Sequence, residues 1–241
     1  MLFMTLSARQ EHIIDSLVAE YIQTAEPVSS QWLERRRGFE FSPATLRSEM
    51  KTLSDEGYLY QPHTSAGRIP TVKGYRLFVD RVVRKSGHKR AEAGRGDYFE
   101  DIANEENDLR ALAKLAKKMS DLSSHLVLAA LEARDILFQE GWEELLQEPE
   151  FEDREVRRSL SRFLQDFESS IDELDPRGSI DVYIGEENPF SNVADFSMMV
   201  AGYTLQKGEK GVLALVGPLR MPYGRNLRLL HSLMFALQPE Q

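Results

Sequence analysis

The sequence predicts an α+β fold in separate parts: a small helical head closed by a short β-hairpin, a helical middle, and a small α/β end. Three observations predict it. Apolar residues recur at helical spacing from Ile13 to Leu53, a short aromatic strand with a Gly/Pro-containing return follows, and runs of strand character come back only after Asp175.

Helix signals open the chain. Ser7 and Gln10 have the spacing of a capping box, and Ile13, Ile14, Leu17, Val18, Tyr21 and Ile22 recur on one face, predicting a helix over 8–24. Ala25-Glu26-Pro27 breaks it. Val28-Ser29-Ser30 then offers the cap of a short second helix, Ser30 to about Arg36, with Trp32 and Leu33 inward and Gly38 at its end. Ser42-Pro43 joins a cap to a proline at the first helical position, leading a third helix that puts Leu46, Met50 and Leu53 inside and has Gly57 beyond its end. The opposite face is left to Thr45, Arg47, Ser48 and Lys51, with Arg47 and Lys51 one turn apart.

After Gly57, Tyr58-Leu59-Tyr60 reads as a strand and Arg68-Ile69-Pro70 as its return, joined by a tip running from Gln61 to Gly67. Thr71 caps a fourth helix that carries Tyr75, Leu77, Phe78, Val79, Val82 and Val83. A Lys/Arg/Gly stretch follows. With Gly87, Gly94 and Gly96 among charged residues, 85–96 has little to bury and is expected to be a flexible linker.

From Asp97 to about Leu137 the spacing of Leu109, Leu112, Ala116, Met119, Leu126 and Ala130 predicts helix, and a second helical region runs from Asp153 to Leu174 until Asp175-Pro176-Arg177-Gly178 stops it. Their apolar faces suggest self-association as well as core packing. Strands are expected at Ile180–Ile184, around Met198–Leu205 and at Gly211–Val216, with Gln206 to Glu209 as a hairpin turn and a last helix from about Pro222 to Leu237. The domains are thus expected at 1–84, 97–175 as a helical, dimer-forming region, and 176–241 as a small sheet with a C-terminal helix.

Composition excludes several function classes. The 241 residues contain no cysteine, which removes disulfides, thiol catalysis and Cys-ligated zinc. Apolar stretches such as Ser124–Leu131 fall far short of the roughly 18–20 residues a bilayer requires, and Met1–Leu6 lacks the basic residues of a secretory leader, so a cytoplasmic location is expected. Net charge is −9, but it is unevenly spread: residues 1–90 carry +4 and residues 91–241 carry −13. A basic head on an acidic body points to nucleic acid at the head.

Helix, helix, helix, hairpin is the order of a winged helix-turn-helix, in which the third helix presents polar side chains to the major groove. Arg47 is the natural base reader, since its fork bonds two acceptors on guanine. Ser29, Ser30, Ser42 and Thr45 sit near helix N-termini, where hydroxyl and backbone N–H groups suit phosphate oxygens. Lys51 and Lys73 serve as point charges, and His63, Thr64, Ser65 and Arg68 make a polar hairpin tip. No enzyme constellation competes: Glu186 and Glu187 point to opposite faces if in a strand, and His12, His63, His88, His125 and His231 are scattered singly. No cofactor or metal is expected. A winged helix that binds RNA or protein without operator specificity is the alternative reading.

The runs "EYIQTAEPVSSQWL", "SPATLRSEM" and "DEGYLYQPHTSAGRIPTVKGYRLFVD" within Leu6–Asp80 closely resemble the heat-inducible transcription repressor family HrcA. So do "LLQEPEFEDREVRRSL", "VYIGEENPF" and "GVLALVGPLRMPYGRNLRLL" further on, in the same order. The resemblance implies a homodimeric repressor on double-stranded DNA, reading an inverted-repeat CIRCE operator ahead of chaperone operons, with the GroEL chaperonin as a partner and no membrane. It adds Gln31 and Ser48 to the expected contacts: Ser29 and Gln31 stand where the family more often has glycine and lysine, and Ser48-Glu49 where it has asparagine and aspartate. It also implies that the sheet at the end of the chain is a shortened form of the family's GAF-like sensor domain.

Overall fold

Ser7 opens the first helix as a reciprocal cap. Its Oγ accepts the Gln10 backbone N–H while the Gln10 side chain accepts the Ser7 N–H, satisfying two donors that a helix start leaves open. Helix α1 (Ala8–Thr24) is followed by α2 (Ser30–Arg37), α3 (Pro43–Asp55), strands β1 (Leu59–Tyr60) and β2 (Ile69–Pro70), and α4 (Val72–His88). This computed structural model describes residues 6–237 except 38, 40, 89–96, 132–135, 172–173, 175, 177–178 and 191–193. It divides into two units, Met1–Val82 and Val83–Gln241. The expected stop at Gly38 and most of the expected linker lie outside the described residues, while α4 runs on as far as His88.

In the first unit the periodic apolar residues of the four helices meet. Ile13, Ile14, Leu17 and Leu33 are fully buried, as are Leu46, Leu53 and Val79, each contributing about 1.5–3 kcal/mol by leaving water. Arg81 of α4 pairs with Glu11 and Asp15 of α1 at 3.4 and 3.2 Å. The hairpin gains a third strand-like member, because Val28 and Arg68 exchange both backbone hydrogen bonds, at 2.9 and 2.8 Å. Gly67 makes this approach possible: a Cβ there would lie 2.5 Å from the Val28 carbonyl carbon and oxygen.

The second unit contains α5 (Glu100–Ala103), α6 (Asp108–Ser123), β3 (Leu126–Leu131), β4 (Ile136–Glu140), α7 (Trp142–Leu146), α8 (Arg154–Ser170), β5 (Ile180–Ile184), β6 (Phe196–Thr204), β7 (Lys210–Pro218) and α9 (Tyr223–Ala236). The strands form one antiparallel sheet in the order β4-β3-β7-β6-β5. One face, with Leu126, Leu128, Met198, Val200, Val212, Ala214 and Val216, packs on Leu160, Phe163 and Phe167 of α8. Helices α6 and α9 contact the sheet through β3, β4 and β6.

The expected helix from Asp97 to Leu137 is corrected here. α6 ends at Ser123, Ser124 turns left-handed (φ 59°) with its N–H donating to the Ser120 carbonyl, and β3 begins two residues later. Leu126–Leu131 is rich in leucine and alanine, good helix formers, but it lies between β4 and β7 with every residue buried, and two-sided burial outweighs local propensity. The expected helical region 97–175 therefore supplies two of the five strands. His125, at this junction, is 4% exposed and donates from Nδ1 to the Ser123 carbonyl at 2.6 Å; burial pushes its pKa down to about 4. Among the described residues, no helix is long and apolar enough to cross a membrane.

Candidate nucleic-acid interface

Helix α3 is held from its inner side and presents its outer side. Ser42 caps it by accepting the Thr45 N–H at 3.2 Å, and the two hydroxyls lie 3.1 Å apart. With Leu46, Met50 and Leu53 buried, the helical repeat turns Arg47, Ser48 and Lys51 outward, and all three are exposed. Asp55 is exposed at the far end of the helix.

Arg68 was expected at the hairpin tip, and the structure places it at the base instead. Its backbone is engaged by Val28, and its Nε donates to Ser54 Oγ at 2.9 Å, so the guanidinium docks on the last turn of α3. Arg47, Lys51 and Ser54 recur at i, i+4 and i+7, a row about 10 Å long. Three cations thus stand along one side of α3: Arg47, Lys51 and the docked Arg68.

The remaining expected residues divide. Ser29 caps α2 by accepting the Trp32 N–H at 3.1 Å, and Gln31 beside it is exposed. Ser30 is only 5% exposed; the nearby Val28, which bridges to Arg68 of the hairpin, is 3% exposed. His63 forms a 3.1 Å hydrogen bond with Ser65 at the exposed tip, while the Gln61 amide donates to the Thr64 and Ala66 carbonyls and braces that tip. Lys73 is no free point charge. It donates to the Glu56 carbonyl at 2.8 Å and lies 4.0 Å above the Tyr58 ring, satisfying the C-terminal end of α3.

Two residues at this surface, Arg9 and Ser54, carry no sequence signal of their own. Arg9 pairs with Glu49 of α3 at 3.2 Å, and Ser54 receives Arg68; partners 40 and 14 residues apart are invisible to periodicity. Tyr60, on β1, is 54% exposed. In the second unit, Glu187 is committed to structure, its carboxylate accepting the Ile184 N–H at 3.0 Å. Among the described residues, no group of three or more His, Asp or Glu is arranged to hold a metal ion.

Comparison with known proteins gives a family. The model of the "HrcA protein C terminal domain" matches residues 86–227, more than half of the chain. The chain belongs to the HrcA family. Among HrcA relatives, the heat-inducible transcription repressor of Natranaerobius thermophilus is 27% identical over 319 aligned positions, covering 92% of this chain and 93% of that protein. That alignment is longer than the chain, so the relative has internal segments without a counterpart here. The repressor of the same name from Streptomyces avermitilis is 53% identical over 77 residues, 32% of this chain and 23% of that protein. A crystal structure described as a hypothetical protein shares the fold, with TM-score 0.79 and 22% identity over 97% of this chain and 98% of that one.

Proposed function

We propose that this HrcA-family chain represses transcription of heat-shock chaperone operons. Its first unit acts as a winged helix-turn-helix, with α3 entering the major groove and the hairpin from β1 to β2 serving as the wing. Two copies bind one inverted-repeat operator of the CIRCE type, each α3 reading one half-site, since a twofold dimer matches a palindrome. The observation that carries this reading is the cationic row on α3: Arg47 and Lys51 exposed and Arg68 docked beside them.

Roles follow from position. Arg47, nearest the N-terminus of α3, reads bases; Ser48 and Lys51 follow it into the groove; Ser29, Gln31, Ser42 and Thr45 face the phosphates that set register; His63 and Arg68 meet the backbone from the wing. Lys73 acts indirectly, by holding the end of α3. The relatives' printed name, heat-inducible transcription repressor, supports the regulatory assignment. GroEL is the proposed partner that maintains activity, and the second unit is a reduced GAF-like domain.

Alanine at Arg47 and at Lys51 tests this. Arg47→Ala is expected to cost about 1–3 kcal/mol on the specific operator and to relax specificity at one position, whereas Lys51→Ala weakens binding more evenly across sequences. DNA affinity unchanged by both substitutions would favour a head that binds RNA or protein.

A further inference from the structure

Arg9 projects from the first turn of α1 to α3. Its Nη1 lies 3.2 Å from Glu49 Oε1, and its guanidinium carbon sits 4.2 Å from the centroid of the Phe41 ring, next to the cap residue Ser42. One turn further along α1, the His12 ring packs on Phe39 at 4.7 Å between centroids. Phe39 and Phe41, ahead of α3, thus both pack on α1, and Glu49 is paired to α1 from the second turn of α3.

Glu49 is the one acid between Arg47 and Lys51 in sequence, and its side chain is 22% exposed. A carboxylate there repels any polyanion approaching α3, and the repulsion acts over the roughly 8–10 Å Debye length at physiological salt. Arg9, 3.2 Å from that carboxylate, opposes its charge.

We infer that Arg9 is a positioning residue for nucleic-acid binding, which neutralises Glu49 and sets the entry of α3 without itself contacting the duplex. The inference rests on the nucleic-acid reading above. A plain structural tie would show in stability but not in charge-dependent affinity. A direct phosphate contact by Arg9 would show in affinity but would be indifferent to the charge on Glu49.

Four full-length proteins separate these cases: the wild type, Arg9→Met, Glu49→Gln, and R9M/E49Q. Each is titrated by fluorescence anisotropy with a CIRCE-type inverted-repeat duplex at two salt concentrations, with thermal melts alongside. Arg9→Met is expected to weaken binding about 3- to 10-fold at low salt, Glu49→Gln to strengthen it, and the double variant to bind within about 2-fold of Glu49→Gln alone, since no carboxylate is left for Arg9 to neutralise. Should Arg9→Met fold poorly, Glu49→Gln alone still decides: no gain in affinity overturns the inference. Weakening by Arg9→Met that Glu49→Gln does not relieve overturns it too. Absence of any duplex binding by the wild type removes the nucleic-acid reading itself, and this inference with it.

Discussion

Arg68 Nε donates to Ser54 Oγ at 2.9 Å, while Ser54 Oγ donates in turn to the Met50 carbonyl at 3.0 Å. The relay joins the residue ahead of β2 to the last turn of α3. Ser54→Ala is expected to weaken duplex binding less than Arg68→Ala, because it frees the guanidinium without removing its charge. Anisotropy titrations of the two variants check the order.

Gly67 and Gly57 make a controlled pair. A Cβ on Gly67 meets the Val28 and Pro27 backbones at 2.5–2.7 Å, whereas Gly57 has φ +79° and nothing within 4 Å. Gly57→Ala should therefore cost about 1–2 kcal/mol, the strain of a left-handed alanine. Gly67→Ala should cost more, about 2–4 kcal/mol, and weaken DNA binding by detaching the hairpin. Urea unfolding of the two variants measures the difference.

His125 gives the second unit an acid sensitivity. Its folded pKa of about 4 lies below the unfolded value near 6.5, so the unfolded chain binds the extra proton first. The stability this group contributes is expected to be complete above about pH 6.5, to fall as pH drops toward 4, and to lose no more below that. The loss amounts to a few kcal/mol. His125→Gln should flatten this part of the stability profile, measured by urea unfolding from pH 7 to 4.

Arg220 binds Glu150 at 2.6 Å and also pairs with Glu148, with its own side chain 11% exposed. The pair ties the segment before α8 to the loop after β7. Arg220→Met leaves two carboxylates facing each other and should destabilise the unit by about 1–3 kcal/mol, below the full cost of a buried pair because the acids are partly solvated. Glu148→Gln with Glu150→Gln in that background should recover part of it.

The head was more legible in the sequence than the body, for physical reasons. Ser42-Pro43 and the Leu46, Met50, Leu53 spacing act within a few residues, so the bounds and outward face of α3 follow from local chemistry alone. Leu126–Leu131 misleads because the Leu126 and Ala130 spacing suits a helix, and only β4 and β7 on either side make it a strand. The site divides in the same way. Exposure of Arg47, Ser48 and Lys51 follows from helical period, but the docking of Arg68 on Ser54, the pairing of Arg9 with Glu49 and the burial of Ser30 come from segments that meet only after folding.

We propose that two copies of this chain read one inverted repeat through α3. Fluorescence anisotropy with a CIRCE-type inverted repeat and a scrambled duplex, each at two salt concentrations, tests it most directly. Binding to the inverted repeat is expected to be tighter by on the order of 10³ or more, with a salt slope near −0.9 per phosphate neutralised. Equal, weak and salt-sensitive binding to both duplexes would contradict it.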